Sequence, residues 1–393
     1  MSFEFATATR IIFGRGSLAT VGSLASALGR RAFVATWASS SRAAPLLGLL
    51  EGAGVAYRVE ACSGEPSFES ARKAIAAAQD FGADLVIGFG CGSAIDTAKV
   101  VGALLANGGD PLDYAEVIGA GKPLTRDSLP VIAIPTTSGT GSEVTRNAVL
   151  TASEGVKVSL RAATLLPALA LVDPELCLSL PARVTADSGL DALTQLLEPF
   201  VSARRNPLVD ALCREGMARG LRSLPKAFAA GRRAEGEDPP EEGDIEARED
   251  MALASLFGGL ALANAGLGAV HGLAGPIGGL VGSPHGALCA ALLPVTVGVN
   301  VRALAARATG DEALSRYAEI ASLVLGRPAR AEELGPALAR FGESLETRRL
   351  GELGVGRADF PAIVRGARAA SSMKANPIAL EEWELLAILE AAL

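Results

Sequence analysis

Histidine is almost missing from this chain: 393 residues hold two, His271 and His285. Aromatic residues are scarce as well, at 4%. The apolar interior must therefore come from Ala, Leu, Val and Ile, which a hydrophobic content of 49% makes ample. The five cysteines, Cys62, Cys91, Cys177, Cys213 and Cys289, are scattered, odd in number and never spaced C-x-x-C. That usage reads as reduced thiols in the cytoplasm. Basic clusters are absent and the net charge is −7, which argues against nucleic acid and anionic membrane as partners. The opening MSFEFATATR carries Glu4 and no long apolar stretch, so it does not read as a signal peptide. No run reaches the ~18 apolar residues of a membrane helix. The longest candidate, Gly286 to Val299, is broken by Pro294.

What the chain does have is concentrated. The two histidines bracket HGLAGPIGGLVGSPH, only 14 positions apart (285 − 271). The small residues between them let the backbone turn tightly and bring two ring nitrogens to one point. Histidine is the commonest metal ligand and the usual proton shuttle near neutral pH. A third donor stands in TADSGLDALTQLLEPFVS, where Leu190, Leu193, Leu197 and Phe200 recur at helical spacing. Asp191 and Gln195 are one turn apart on that helix and share a face. Two imidazoles and a carboxylate suit Zn²⁺, Fe²⁺, Ni²⁺ or Co²⁺ better than Mg²⁺ or Ca²⁺.

The first half alternates short apolar runs with helical stretches. Ala32–Thr36, Val55–Val59, Leu85–Phe89, Val131–Pro135 and Leu169–Val172 read as buried strands, with helices over Phe68–Phe81 and Ala94–Ala106. Such alternation predicts a parallel sheet covered on both faces, with ligands beyond the carboxyl ends of its strands. From about Leu180 the periodicity is helical only, with helices beginning near Val184, Pro207, Ile245, Pro284 and Asp311; the boundary falls within Asp173–Pro181. The acidic stretch Gly231–Asp250 reads as a solvated loop.

Two strand ends carry ligand-binding signals. In LVIGFGCGSAIDTAK, Gly90 and Gly92 admit close approach to the backbone. Ser93 is placed to cap the following helix, whose free amides favour a phosphate. Asp96, Thr97 and Lys99 follow one turn on, within reach of a ribose or nicotinamide. In PTTSGTGSEVT, the residues Thr136 to Ser142 offer five hydroxyls and two glycines after a buried strand, a density that marks a binding loop.

On these motifs, together with the opening FATATRIIFGRGS, the bridge LVDPELCLSLP, GLDALTQLLEPFVS, HGLAGPIGG and SPHG, the chain resembles the iron-containing (group III) alcohol dehydrogenases. These share a dehydroquinate synthase-like fold and are related to maleylacetate reductases. The resemblance implies an α/β dinucleotide-binding domain with a parallel sheet over residues 1–178. An all-α metal and substrate domain would follow over 179–393, with a nicotinamide held between the two. It places the pyrophosphate on Gly90, Cys91, Gly92 and Ser93, puts Thr136, Thr137 and Thr140 on NAD(P)H, and sets Lys157 near a ribose. It makes Asp191, His271 and His285 catalytic and ligands of a divalent metal, iron or zinc, with Gln195 or water fourth. The expected substrate is a small alcohol or aldehyde, and the expected assembly a homodimer.

Four positions depart from the family: Gln195 and Gly275 replace histidines, Cys91 replaces a glycine, and Trp37 replaces the acid of the second strand. An acid there would repel a 2′-phosphate. Its absence, with Ser39, Ser40 and Arg42 beside it, predicts NADP(H) used at least as well as NAD(H). An apolar substrate wall is expected from Phe200, Phe257 and Leu267. A metal-independent reductase of the maleylacetate type and a dehydroquinate synthase-like lyase stay open as alternatives.

Overall fold

The computed structural model describes residues 2–37, 40–62, 64–116, 118–152, 156–236, 241 and 243–393, with backbone only at 40 and 41. Ser39 and the side chain of Ser40, which entered the NADP(H) expectation, lie outside the described residues. The chain divides into two compact units, Ala6–Leu178 and Ser179–Leu393, the second also taking Met1–Phe5.

The first unit is built on strands β1 (Ile11–Phe13), β2 (Arg31–Trp37), β3 (Ala56–Cys62), β4 (Leu85–Gly90), β5 (Val131–Pro135), β6 (Asn147–Thr151), β7 (Lys157–Arg161) and β8 (Leu169–Val172). Its helices are α1 (Val21–Leu28), α2 (Ser40–Gly52), α3 (Phe68–Phe81), α4 (Gly92–Asn107) and the single turn α5 (Pro111–Tyr114). Six strands form one sheet in the order β1-β8-β5-β4-β2-β3, and every pairing in it is parallel.

Period-two alternation explains how a continuous apolar run is buried on both faces. Ala32 and Val34 of β2 pack with Val21, Leu46 and Leu50 of α1 and α2. Their neighbours Phe33 and Ala35 pack with Ala78, Ala98 and Val101 of α3 and α4. Gly88 lies where a Cβ would come within 2.9 Å of the Ile95 Cα, so α4 can lie close to β4. Asp173 closes the unit by accepting backbone N–H bonds from Gly16, at 3.1 Å, and Leu18, at 3.0 Å. The strands read from the sequence are all present. β1 and the antiparallel hairpin β6–β7 are additions; they are short or half-exposed, and their alternation is too brief to stand out in the sequence.

The second unit is helical: α6 (Ala182–Val201), α7 (Pro207–Glu235), α8 (Asp244–Ala265), α9 (Ala269–Val281), α10 (His285–Arg307), α11 (Glu312–Leu325), α12 (Leu334–Ser344), α13 (Phe360–Ala369) and α14 (Glu382–Ala392). No strand occurs in it among the described residues. α6 is buried nearly all round, and small residues let its neighbours close in. A Cβ at Gly216 would meet the Leu196 side chain at 2.6 Å, and one at Gly220 the Leu193 side chain at 2.7 Å. This is how a core with few aromatics reaches close packing.

α10 is long and apolar enough to cross a membrane, yet most of it is buried inside the unit, so its hydrophobicity serves the core. The expected loop at 231–250 is mostly helix: α7 runs to Glu235 and α8 starts at Asp244, with 237–240 and 242 outside the described residues. Its charges lie along helix faces and pair across them, as where Arg219 and Arg222 each meet Asp250 at 2.7 Å.

Candidate metal centre and dinucleotide site

α6, α9 and α10 bring four donors together. Asp191, His271, His285 and Cys289 place one ligand atom each within 4.8 Å of one another. Two glycines make this convergence possible. A Cβ on Gly286 would lie 2.3 Å from the Asp187 carbonyl oxygen, so only glycine lets α10 enter against α6 directly after His285. At the start of α9, a Cβ on Gly268 would lie 2.8 Å from Glu198 Oε1.

His271 Nε2 is 3.2 Å from Asp191 Oδ1, and His285 Nε2 is 3.9 Å from the same oxygen. Cys289 Sγ lies 3.8 Å from His271 Nε2 and 3.6 Å from His285 Nε2. The two rings are tilted by 53° with centroids 5.3 Å apart, so they do not stack face to face.

Glu198, one turn beyond Gln195, stands behind His271. Its Oε2 is 2.7 Å from His271 Nδ1, and its Oε1 accepts the Val270 N–H at 2.7 Å. A carboxylate only accepts, so Nδ1 carries a proton toward Glu198, which leaves Nε2 as the nitrogen that would bind a metal once its own proton, shared with Asp191, is displaced. This is the carboxylate–histidine arrangement that orients metal ligands. Gln195 donates through Nε2 to Asp191 Oδ2 at 3.2 Å. The opposite amide orientation would face oxygen to oxygen, so the assignment is secure. Gln195 Oε1 is then buried without a partner among the described residues.

The electrostatics favour a cation here. Burial opposes the charge on Asp191, but His271 and His285 beside it hold its carboxyl below the ordinary range. Burial likewise opposes a charge on His271, yet Cys289, Glu198 and Asp191 outweigh it and hold the imidazole well above its usual range. Burial pushes the Cys289 thiol up to about 12.

Cys289 and Glu198 are absent from the sequence-based set, although spacing held a signal for both. Cys289 is one turn after His285 on α10, and Glu198 is two turns after Asp191 on α6. Gly275, one turn after His271, has no atom within 4 Å of where its Cβ would be. Phe200 is no substrate wall: it is fully buried, with the guanidinium carbons of Arg214 and Arg316 each 4.9 Å from its ring centroid.

In the α/β unit the two glycine-containing loops meet. β4 and β5 are adjacent and in register, with Gly90 opposite Pro135, and Thr136 N–H donates to the Gly90 carbonyl at 2.9 Å. Gly90 adopts φ 154°, and a Cβ there would meet Ala94 Cβ at 2.9 Å. A Cβ on Gly92 would lie 2.9 Å from Thr140 Oγ1, so the two loops form one surface. Thr136, Thr137 and Thr140 are partly exposed along it, whereas Ser138 is buried.

Cys91, not Ser93, occupies the N-cap of α4, and no side chain caps the helix. The sequence reading of Ser93 as the cap is corrected on this point: the helix starts two residues earlier than its hydroxyl could serve. The uncapped end leaves amides for an anion. Asp96 accepts the Val149 N–H through Oδ2 at 3.0 Å. Its Oδ1 is buried without a hydrogen-bond partner among the described residues, 3.8 Å from the Lys99 ammonium. Lys99 is itself buried and donates to Thr145 Oγ1 at 2.9 Å, and burial lowers its pKa to about 8. Burial raises the nearby Glu143 to about 7. Lys157, on the hairpin, is paired with Glu65 at 2.5 Å.

Comparison with known proteins identifies the family of both units. A family described as iron-containing alcohol dehydrogenase matches residues 8–174, and the C-terminal domain of the same family matches residues 185–393. Long-chain-alcohol dehydrogenase 1 of Geobacillus thermodenitrificans is 38% identical over 84% of this chain and 80% of its own length. The 4-hydroxybutyrate dehydrogenase of Cupriavidus necator is 34% identical over 79% of this chain and 78% of its own. The crystal structure of a 1,3-propanediol oxidoreductase superposes over 100% of both chains with a TM-score of 0.89 and 31% identity. A sulfoacetaldehyde reductase from Bifidobacterium kashiwanohense, solved with NAD⁺, superposes over 100% of this chain and 99% of its own, with a TM-score of 0.85 and 26% identity.

Proposed function

Since the chain belongs to the iron-containing alcohol dehydrogenase family, we propose that Asp191, His271 and His285 hold one divalent metal and that the β4 and β5 loops hold a nicotinamide dinucleotide. The chain is an NAD(P)-dependent oxidoreductase that interconverts a small alcohol with its aldehyde or ketone. When bound, the metal supplies Lewis acidity toward the substrate oxygen, and the nicotinamide supplies the hydride.

The chain's own residues do the positioning. Glu198 fixes the His271 tautomer, and Gln195 fixes Asp191 through Oδ2. Gly90 and Gly92 keep the phosphate loop free of side chains, the uncapped start of α4 presents amides, and Asp96, held by the Val149 N–H and the Lys99 ammonium, stands one turn behind them. Thr136, Thr137 and Thr140 line the same surface, with Lys157 tied to Glu65 at its hairpin edge. Gly275 offers no side chain where the family has a histidine, so a substrate proton would be exchanged with water, a ribose hydroxyl or another group.

One observation carries this reading: Asp191, His271 and His285 converge from three helices, with a buried carboxylate oriented behind one imidazole. The test is NADH and NADPH oxidation over a panel of aldehydes and ketones, before chelation, after it, and after metal is restored. Activity lost on chelation and regained on reloading supports the reading. Undiminished activity in fully metal-stripped enzyme overturns the metal role and leaves a metal-independent reductase. A cytoplasmic homodimer belongs to the same proposal. Its location is supported by five free thiols, and light scattering on the purified chain tests its assembly.

A further inference from the structure

The geometry points to Cys289 as the fourth ligand of this centre, an Asp-His-His-Cys set that selects zinc over iron. The inference rests on the metal-centre reading above.

The interatomic distances carry it. A tetrahedral ion with bonds of about 2.0 Å to nitrogen and oxygen and about 2.3 Å to sulfur sets nitrogen and sulfur ligands about 3.6 Å apart. By the same arithmetic it sets nitrogen and oxygen ligands about 3.3 Å apart. Cys289 Sγ lies 3.6 Å and 3.8 Å from the two Nε2 atoms. Asp191 Oδ1 lies 3.2 Å and 3.9 Å from them. Three of these edges are therefore close to their required lengths, and the His285–Asp191 edge, at 3.9 Å, is longer than required. Without an ion the same atoms fall within hydrogen-bond reach of one another, and a bound ion would take the place of the protons between them.

The competing side chain is engaged through its amide nitrogen, while its Oε1 has no hydrogen-bond partner among the described residues. Gln195 turns its amide nitrogen to Asp191 Oδ2, where it orients the carboxylate. Cys289 itself is completely buried, one turn from His285 on the same helix, so both side chains face the cluster.

The chemistry of the set fixes the metal. A thiolate with two imidazoles is softer than the all-nitrogen-and-oxygen set that three histidines and an aspartate would give, and softness together with the Irving–Williams order favours Zn²⁺ over Fe²⁺. Charge agrees: one carboxylate and one thiolate neutralise a divalent ion, which suits a centre this deeply buried.

Cobalt(II) is the probe, because a thiolate bound to it gives a strong sulfur-to-cobalt charge-transfer band in the near ultraviolet. The full-length wild type, Cys289→Ser, Cys289→Ala and Asp191→Ala are each stripped, checked for folding by circular dichroism, and titrated with cobalt. Zinc affinity is measured in parallel against a chromophoric chelator. The wild type is expected to show the band. Cys289→Ser is expected to bind cobalt without it and to lose at least tenfold in zinc affinity, more than its affinity for Fe²⁺. Cobalt binding that needs Asp191 but gives no band in the wild type overturns the thiolate ligand and leaves the metal centre standing. So does a Cys289→Ser or Cys289→Ala spectrum equal to wild type. Absence of any cobalt or zinc binding by the wild type overturns both.

Discussion

Glu198→Gln separates orientation from ligation at the centre. The wild-type carboxylate accepts two hydrogen bonds, from Val270 N–H at 2.7 Å and from the His271 Nδ1 proton at 2.7 Å. A glutamine has the same shape but one acceptor and one donor. If its oxygen stays on Val270, its NH₂ faces His271 Nδ1, which must then accept. The ring's one remaining proton is then fixed on Nε2, the nitrogen that would have to lose it to bind a metal. If the amide flips, the Val270 N–H faces an NH₂ in a buried site, at a cost of about 1–3 kcal/mol. Either arrangement penalises metal binding. Loss of such an outer partner weakens metal affinity by roughly 10–100-fold, or about 1.4–2.7 kcal/mol. The assay is zinc competition against a chromophoric chelator at one pH, with thermal melts of the stripped proteins to confirm folding. An affinity within twofold of wild type in a folded variant refutes the reasoning, because His271 would then not depend on Glu198 for its tautomer.

Three further outcomes are expected. Burial raises Glu143 from 4.5 to about 7, so its folded form holds the proton more tightly; the associated stability is fully present below pH 4.5 and lost as pH rises through 7. That is up to about 3 kcal/mol, and the difference in urea stability between wild type and Glu143→Gln should shift in that direction over the same window; a pH-independent difference contradicts it. Gly92→Ala places a Cβ 2.9 Å from Thr140 Oγ1 and should weaken dinucleotide binding by about tenfold, or about 1.4 kcal/mol, at an almost unchanged melting temperature; calorimetric titration that finds equal affinity argues against the shared loop surface. Trp37 at the end of β2 is 43% exposed and offers no carboxylate against a 2′-phosphate, so kcat/KM with NADPH should match or exceed that with NADH; a tenfold preference for NADH would count against this.

The sequence revealed most where period and glycine chemistry coincide. β2, β4 and β5 are unbroken apolar runs with both faces buried, and their ends carry the glycines that let the loops at Gly90 and Gly92 touch Thr140. Parts of the metal centre were equally visible, because Asp191 sits in a helical repeat and the two histidines are the only ones in the chain. Its fourth corner was not. Cys289 lies in an apolar stretch of α10 where cysteine reads as one more small core residue, so its i+4 spacing from His285 was outweighed until the approach of α10 to α6 across Gly286 put it beside both imidazoles. Glu198 was hidden in a similar way: a charge beside Leu197 and Pro199 looks solvated until α9 delivers Val270 and His271 to it. Phe200 misled in the opposite sense, since its helical spacing is that of the core and its ring is covered by Arg214 and Arg316. The hairpin of β6 and β7 had only five-residue alternations to announce it.

The central claim is that Asp191, His271 and His285 hold a catalytic divalent metal. Elemental analysis of wild type and Asp191→Ala, purified side by side without chelator and assayed on the same aldehyde, tests it most directly. Stoichiometric metal and activity are expected in the wild type, and loss of both in a folded Asp191→Ala. Equal, negligible metal in the two proteins, with the wild type fully active in the presence of a strong chelator, would contradict it.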